Sequence, residues 1–123
     1  DDHEASFRNM VIVKIPFASK VVYVLNTHLD RSEVRVKQLR QVLQHFTSLP
    51  SPAVLLGDLN TRPDDNIMTD FLSNSEYIDV TRMINENHDV EWIIGKGLTF
   101  ISGGMEPSGV SDHPAYWAEL ALD

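Results

Sequence analysis

At 123 residues the chain has the length of one domain, and 42% hydrophobic with 23% charged residues is the composition of a globular protein, not a disordered one. It contains no cysteine, which removes disulfides and thiolate metal sites, and 10 Lys+Arg against 18 Asp+Glu give a net charge of −8. That balance argues against a broad nucleic-acid footprint, although a bound divalent cation lets an acidic protein accept a phosphate-bearing ligand.

In chain order, the Val- and Ile-rich stretches at 10–15 and 20–26 read as strands joined by Pro16-Phe17-Ala18-Ser19 in a hairpin. From Ser32 to Phe46 the period becomes helical. Leu39, Val42, Leu43 and Phe46 form the apolar stripe, with Arg31, Arg35, Lys37 and Arg40 among the exposed positions. Pro50 and Pro52 end that helix and lead into a strand at 53–57. A short helix is expected over 65–73, with Asp64 or Asp65 as N-cap and Ile67, Met68, Phe71 and Leu72 on its apolar side. Residues 74–89 carry only weak patterning. Two short strands follow near 91–94 and 98–101, then a glycine-rich loop at 103–109 and a closing strand at 114–122. No apolar stretch approaches the ~20 residues of a membrane span, and Asp1-Asp2-His3-Glu4 has the wrong charge for a signal peptide. A soluble protein is expected, cytoplasmic or secreted. No internal repeat or linker is evident.

Val54-Leu55-Leu56 and Val21 to Leu25 are apolar on both strand faces, so their sheet should be covered on both sides. The two helices can cover one. Nothing else in the sequence obviously covers the other, so a second layer is expected there, either a missing segment or a second copy of the chain.

Three segments carry polar chemistry at the ends of apolar runs: Asn26-Thr27-His28, Gly57-Asp58-Leu59-Asn60 and Ser111-Asp112-His113. Each has a plainer reading. Gly57 to Asp65 is rich in turn formers, and alone it would be a turn. It is not an EF-hand, because Arg62, Pro63 and Thr69 stand at the fifth, sixth and twelfth positions of a loop starting at Asp58. His28 alone would be a hydrogen-bonded structural histidine. Three adjacent residues seldom converge as a Ser-His-Asp triad, since neighbours on an extended chain point to opposite sides, but Asp112 can still orient the His113 imidazole and favour its cation. His3, His45 and His88 read as surface residues, and Trp92 and Trp117 as core.

Taken together and in this order, Asn26-Thr27-His28-Leu29, Gly57-Asp58-Leu59-Asn60 and Ser111-Asp112-His113-Pro114 resemble the endonuclease/exonuclease/phosphatase superfamily, the deoxyribonuclease I-like metal-dependent phosphohydrolases. Val90-Glu91-Trp92-Ile93-Ile94 is similar to the family's penultimate strand, with Glu91 where an Asp is usual. The resemblance implies an α+β fold: half of a four-layer α/β/β/α sandwich, with a mixed, mostly antiparallel sheet covered by helices on one face. It covers the C-terminal half of such a domain, with residues 1–123 as one unit. It also implies roles. His28, with Asn26, would bind the scissile phosphate. Asp58 would orient or deprotonate the attacking water, and Asn60 would hold that water or a phosphoryl oxygen. His113, paired with Asp112, would stabilise charge growing on phosphorus, and Asp112 would touch Mg²⁺, for which Mn²⁺ could substitute. The half of the domain without counterpart here supplies an Asn and the Glu that is the principal magnesium ligand, so the chain alone is expected to turn over slowly or not at all. The alternative class is a non-catalytic module that dimerises or binds a partner through its bare sheet face, and a third is an acidic cation-binding domain. The resemblance implies a phosphate ester as substrate. Nucleic acid is less favoured than a small molecule or lipid head group because of the charge.

Overall fold

The computed structural model of the protein describes residues 10–106 and 115–123. Strands β1 (Val11–Phe17) and β2 (Lys20–His28) form a hairpin around Ala18, which adopts φ 57°. Helix α1 (Arg35–Ser48) then crosses to β3 (Ala53–Asp58), which lies parallel to β2. Helix α2 (Asn66–Leu72), strand β4 (Tyr77–Asp79), helix α3 (Val80–Ile84) and strand β5 (Glu91–Lys96) follow. The main sheet has the order β1-β2-β3-β5-β4, antiparallel except at β2/β3. Strands β6 (Leu98–Glu106) and β7 (Ala115–Leu122) pair with each other as a second, two-stranded sheet.

The register assigns the faces. Leu25, Leu55 and Ile94 are aligned across β2, β3 and β5 on one face. Both helices pack there, burying Leu39, Val42 and Phe46 of α1 and Met68 of α2 against them. Phe71 stacks on Tyr77 at 4.3 Å between ring centroids and extends this core to β4. The sequence stripe of α1 is therefore its core face, though the helix begins at Arg35 rather than Ser32. Arg35 is half-buried, not exposed: its guanidinium donates to Thr61 Oγ1 at 2.7 Å and lies 3.7 Å from Asp65. Asp65 is the N-cap of α2, its carboxylate accepting from the Ile67 N–H at 2.8 Å.

A lysine side chain lies against this core. Lys96 is 2% exposed, and its ammonium donates to the Phe46 and Thr47 carbonyls at 3.0 and 3.1 Å, at the last turn of α1. The C-terminal carbonyls of a helix need donors and the helix dipole favours a cation there. Burial pushes the Lys96 pKa below the ordinary lysine value. A lowered lysine pKa means that burying the cation costs stability at neutral pH, and that this cost falls as pH rises through the folded-state pKa toward the unfolded one. The two charge-assisted bonds still outweigh it in the comparison that mutation makes. Lys96→Met should destabilise the fold by about 2 kcal/mol in urea denaturation at pH 7, because it takes the ammonium from the Thr47 carbonyl and leaves the Phe46 carbonyl with the Leu49 N–H. The deficit should widen at alkaline pH, where the wild type loses the cost of burying the cation and the Met variant has none to lose.

The opposite face carries Val13, Ile15 and Phe17 of β1 with Val22, Val24, Val54 and Leu56. It is less bare than the sequence suggested. The β6–β7 hairpin leans over part of it, and Ile15, Phe17, Val22 and Val54 face Leu98, Leu120 and Leu122 across an apolar cleft of about 210 Å³. Val11, Val13, Ile15 and Phe17 remain exposed.

Other corrections concern the second half. The weakly patterned 74–89 holds β4 and α3, each too short to show a period. Gly103 and Gly104 belong to strand β6, not to a loop: a side chain on either would come within 2.7 Å of Ile84 or 2.9 Å of the Trp117 indole. Residues 107–109 of the expected loop lie outside the described residues. Trp117 is 47% exposed, because its alternate position on β7 faces away from the core, whereas Trp92 is buried as expected. His88 is not a surface residue but is 3% exposed. His45 is exposed, and His3 lies outside the described residues.

Candidate active site

Parallel pairing of β2 and β3 brings their C-terminal ends to the same edge of the sheet, a common place for ligand sites in α/β folds. The register places Asn26 beside Leu56, His28 beside Asp58, and Asp58 beside Glu91. Because side chains alternate along a strand, Asn26, His28, Asp58 and Glu91 all occupy the face away from the helices. Two of the sequence motifs thus meet at one rim.

Their geometry is specific. His28 Nε2 lies 3.5 Å from Asp58 Oδ2, with the imidazole 61% exposed and the carboxylate 23% exposed. The other carboxylate oxygen, Oδ1, accepts the Asn60 backbone N–H at 2.9 Å. Asn60 adopts φ 45°, a conformation asparagine tolerates better than most residues, and its amide Nδ2 donates to the Leu29 carbonyl. An amide nitrogen has two hydrogens, so the same group can also meet a phosphoryl oxygen. Gly57 and Asp58 close strand β3, and the turn formers of this segment act only beyond them. The turn is what locks Asp58. Beyond the strand pairing, the Leu29 N–H donates to the Asp58 carbonyl at 2.9 Å and the Leu59 N–H to the Val90 carbonyl at 3.0 Å, which ties the three strand ends together.

A cleft of about 240 Å³ opens over this rim, lined by Asp58, Glu91, Trp92, Ile93 and Tyr116 among others. Sequence reasoning did not count Glu91 or Tyr116 as site residues. Glu91 was recoverable from the spacing of the strands, since an antiparallel β5 has to start opposite the end of β3. Tyr116 was not, because its arrival depends on the hairpin, whose packing is held by Asn85 donating to the Tyr116 hydroxyl at 3.2 Å. Ser111, Asp112 and His113 lie outside the described residues.

The donors can be tested against a magnesium ion. Among the described residues no group of three or more His, Asp or Glu is arranged to hold a metal. Asp58 and Glu91 are nevertheless hard oxygen donors opposite each other at the cleft, and Mg²⁺ characteristically takes one or two carboxylates and completes its shell with water and phosphate oxygens. The donor set fits an ion shared with substrate rather than one caged by protein.

Comparisons with known proteins bear on this arrangement. The model of the Endonuclease/Exonuclease/phosphatase family matches residues 2–118. Tyrosyl-DNA phosphodiesterase 2 of Danio rerio is 36% identical over 61 residues, which is 45% of this chain and 16% of that protein. Among solved structures, a humanized D. rerio TDP2 superposes with a TM-score of 0.71 at 20% identity, covering 93% of this chain and 58% of the other. A mannosyl-6-phosphatase of Bacteroides thetaiotaomicron gives 0.53 at 15% identity, covering 83% and 51%. The chain therefore spans about half the length of the solved relatives it matches.

Proposed function

Since the chain belongs to the endonuclease/exonuclease/phosphatase family, we propose that it carries the acid–base part of a Mg²⁺-dependent centre that hydrolyses a phosphate ester. The observation that carries this reading is the Asp58 carboxylate, fixed by the Asn60 N–H on one oxygen and facing His28 on the other. Asp58 orients the attacking water and takes its proton. His28 and Asn60 donate to the phosphoryl oxygens, and Asn26 sits on the same face beside them. His113, oriented by Asp112, stabilises the negative charge that grows on phosphorus. In-line displacement needs this division of labour: a positioned nucleophile on one side, and donors aimed at charge that develops in the transition state. Glu91 at the cleft, with Asp112, would hold Mg²⁺, or Mn²⁺ in its place, which leaves Asp58 free as the base. When bound, the ion supplies positive charge to the phosphoryl oxygens, which suits a chain of net charge −8.

The test is hydrolysis of bis(p-nitrophenyl) phosphate by a polypeptide carrying this chain with its covering layer. Turnover should vanish in EDTA and return with Mg²⁺ or Mn²⁺. Turnover that persists in EDTA would overturn the metal dependence, and its absence under all conditions would favour the interaction module.

The same proposal includes the layer over the β1 side of the sheet, either a further half of the domain or a second copy. The exposed Val11, Val13, Ile15 and Phe17 favour it, since a contiguous apolar strip on a sheet edge seeks cover. Light scattering on the chain alone should show dimers or higher species, or dye binding to a monomer. A monomer that binds no hydrophobic dye would count against it.

A further inference from the structure

The catalytic cleft is not built from one sheet. Leu56, Asp58, Glu91 and Ile93 line it from β3 and β5, whereas Tyr116 reaches it from β7 of the second sheet. The chain joins the two sheets at the far end of the hairpin, where β5 runs into β6 through Gly97 at φ 69°. At the cleft end, among the described residues, side chains make the link. Resting on the hydrolytic reading above, we propose that Tyr116 is a positioning residue: its hydroxyl, held by Asn85, fixes the width of the cleft over Asp58 and Glu91.

The support runs without a gap from one sheet to the other. It starts on β5, where the Ile93 N–H donates to Thr81 Oγ1. Thr81 is buried in α3, a helix of five residues whose N-cap Asp79 accepts the Arg82 N–H. Asn85 is the C-cap of that helix, and each of its polar groups is engaged. Its N–H donates to the Thr81 carbonyl at 2.8 Å, and its carbonyl accepts the His88 N–H at 3.1 Å. Its side-chain oxygen accepts the Asn87 N–H at 3.0 Å. That leaves Nδ2, which donates to the Tyr116 hydroxyl at 3.2 Å and lies 3.4 Å from Met105 Sδ. Met105 and Tyr116 are register partners, so one fixed amide grips both strands of the hairpin.

Packing closes the same joint. Ile84, next to Asn85, lies where a Cβ on Gly103 would come within 2.7 Å, so a larger residue on β6 would push the hairpin off α3. The Tyr116 ring is half-buried and forms the cleft wall supplied by β7. Placement of this kind matters to the chemistry. A misplacement of about 1 Å, even from a change remote from the reacting atoms, can cost about a hundred-fold in rate.

Tyr116→Phe keeps the wall and removes the latch. In the polypeptide that hydrolyses bis(p-nitrophenyl) phosphate, it should lower kcat per folded molecule by about ten- to a hundred-fold with KM little changed. Urea denaturation supplies the folded fraction. Asn85→Ala should fall by the same factor and the double variant no further, because each lacks the same bond. Thr99→Val is the control: it removes a hairpin hydroxyl that donates to Asp123 at 2.6 Å, remote from the cleft, and should leave kcat alone. Normal kcat in Tyr116→Phe would overturn the proposal, as would an equal loss in Thr99→Val or additive losses in the double variant. If Asn85→Ala does not fold, Tyr116→Phe against Thr99→Val decides alone. Wild-type protein without Mg²⁺-dependent turnover would instead sink the hydrolytic reading, and this proposal with it.

Discussion

Asp58→Asn in the active protein should lower kcat by about 10²–10⁴, the range of a positioned general base, with little change in KM. The substitution preserves shape and still lets the side-chain oxygen accept the Asn60 N–H, which is 2.9 Å from Oδ1. It removes the ability to take a proton and the ionic partner 3.5 Å from His28 Nε2. A loss confined to kcat therefore reports chemistry, whereas a raised KM with kcat intact would reduce Asp58 to a binding role. His113→Ala should lose activity comparably if that imidazole stabilises the charge on phosphorus. His28→Ala should fall less far, because an exposed donor to phosphate can be replaced in part by water. Steady-state kinetics on bis(p-nitrophenyl) phosphate measure all three, and near-normal turnover in Asp58→Asn or His113→Ala would dismantle the role assignment.

The parts that could be read from sequence are those with a period. The α1 stripe of Leu39, Val42, Leu43 and Phe46 and the apolar run of β3 follow directly from burial, and both are found where expected. What escaped has a common cause: it depends on what lies opposite. His88 looked like a loop residue until Trp92 was seen against its ring. Gly103 and Gly104 looked like loop formers because glycine signals irregular backbone, yet here it signals side chains of Ile84 and Trp117 too close for a Cβ. Lys96 had no reason to be inside until the end of α1 supplied two carbonyls. The site divides in the same way. Asp58 and Asn60 announce themselves by position at a strand end, while the partnership of Asp58 with His28 and Glu91 exists only through the register of three strands.

That register rests on Gly57, and Gly57→Ala should be the most disruptive small change in the chain. The residue sits at φ 142°, and a Cβ there would lie 1.9 Å from the Thr27 carbonyl oxygen. The obstacle is backbone of the neighbouring strand, so no rotamer can relieve it. β2 and β3 must part at the position just before His28 and Asp58. We expect a loss of at least about 3 kcal/mol, the sum of a strained conformation and a broken ladder. Gly95→Ala is the comparison that isolates the cause. Its Cβ would meet the Ile78 side chain at 3.3 Å, which can shift, so its cost should stay near the low end of overpacking, about 1 kcal/mol. Urea denaturation compares the two. If Gly57→Ala folded as stably as Gly95→Ala, the close approach of β2 to β3 would not be what holds the His28–Asp58 pair together, and the geometry of the site would need another support.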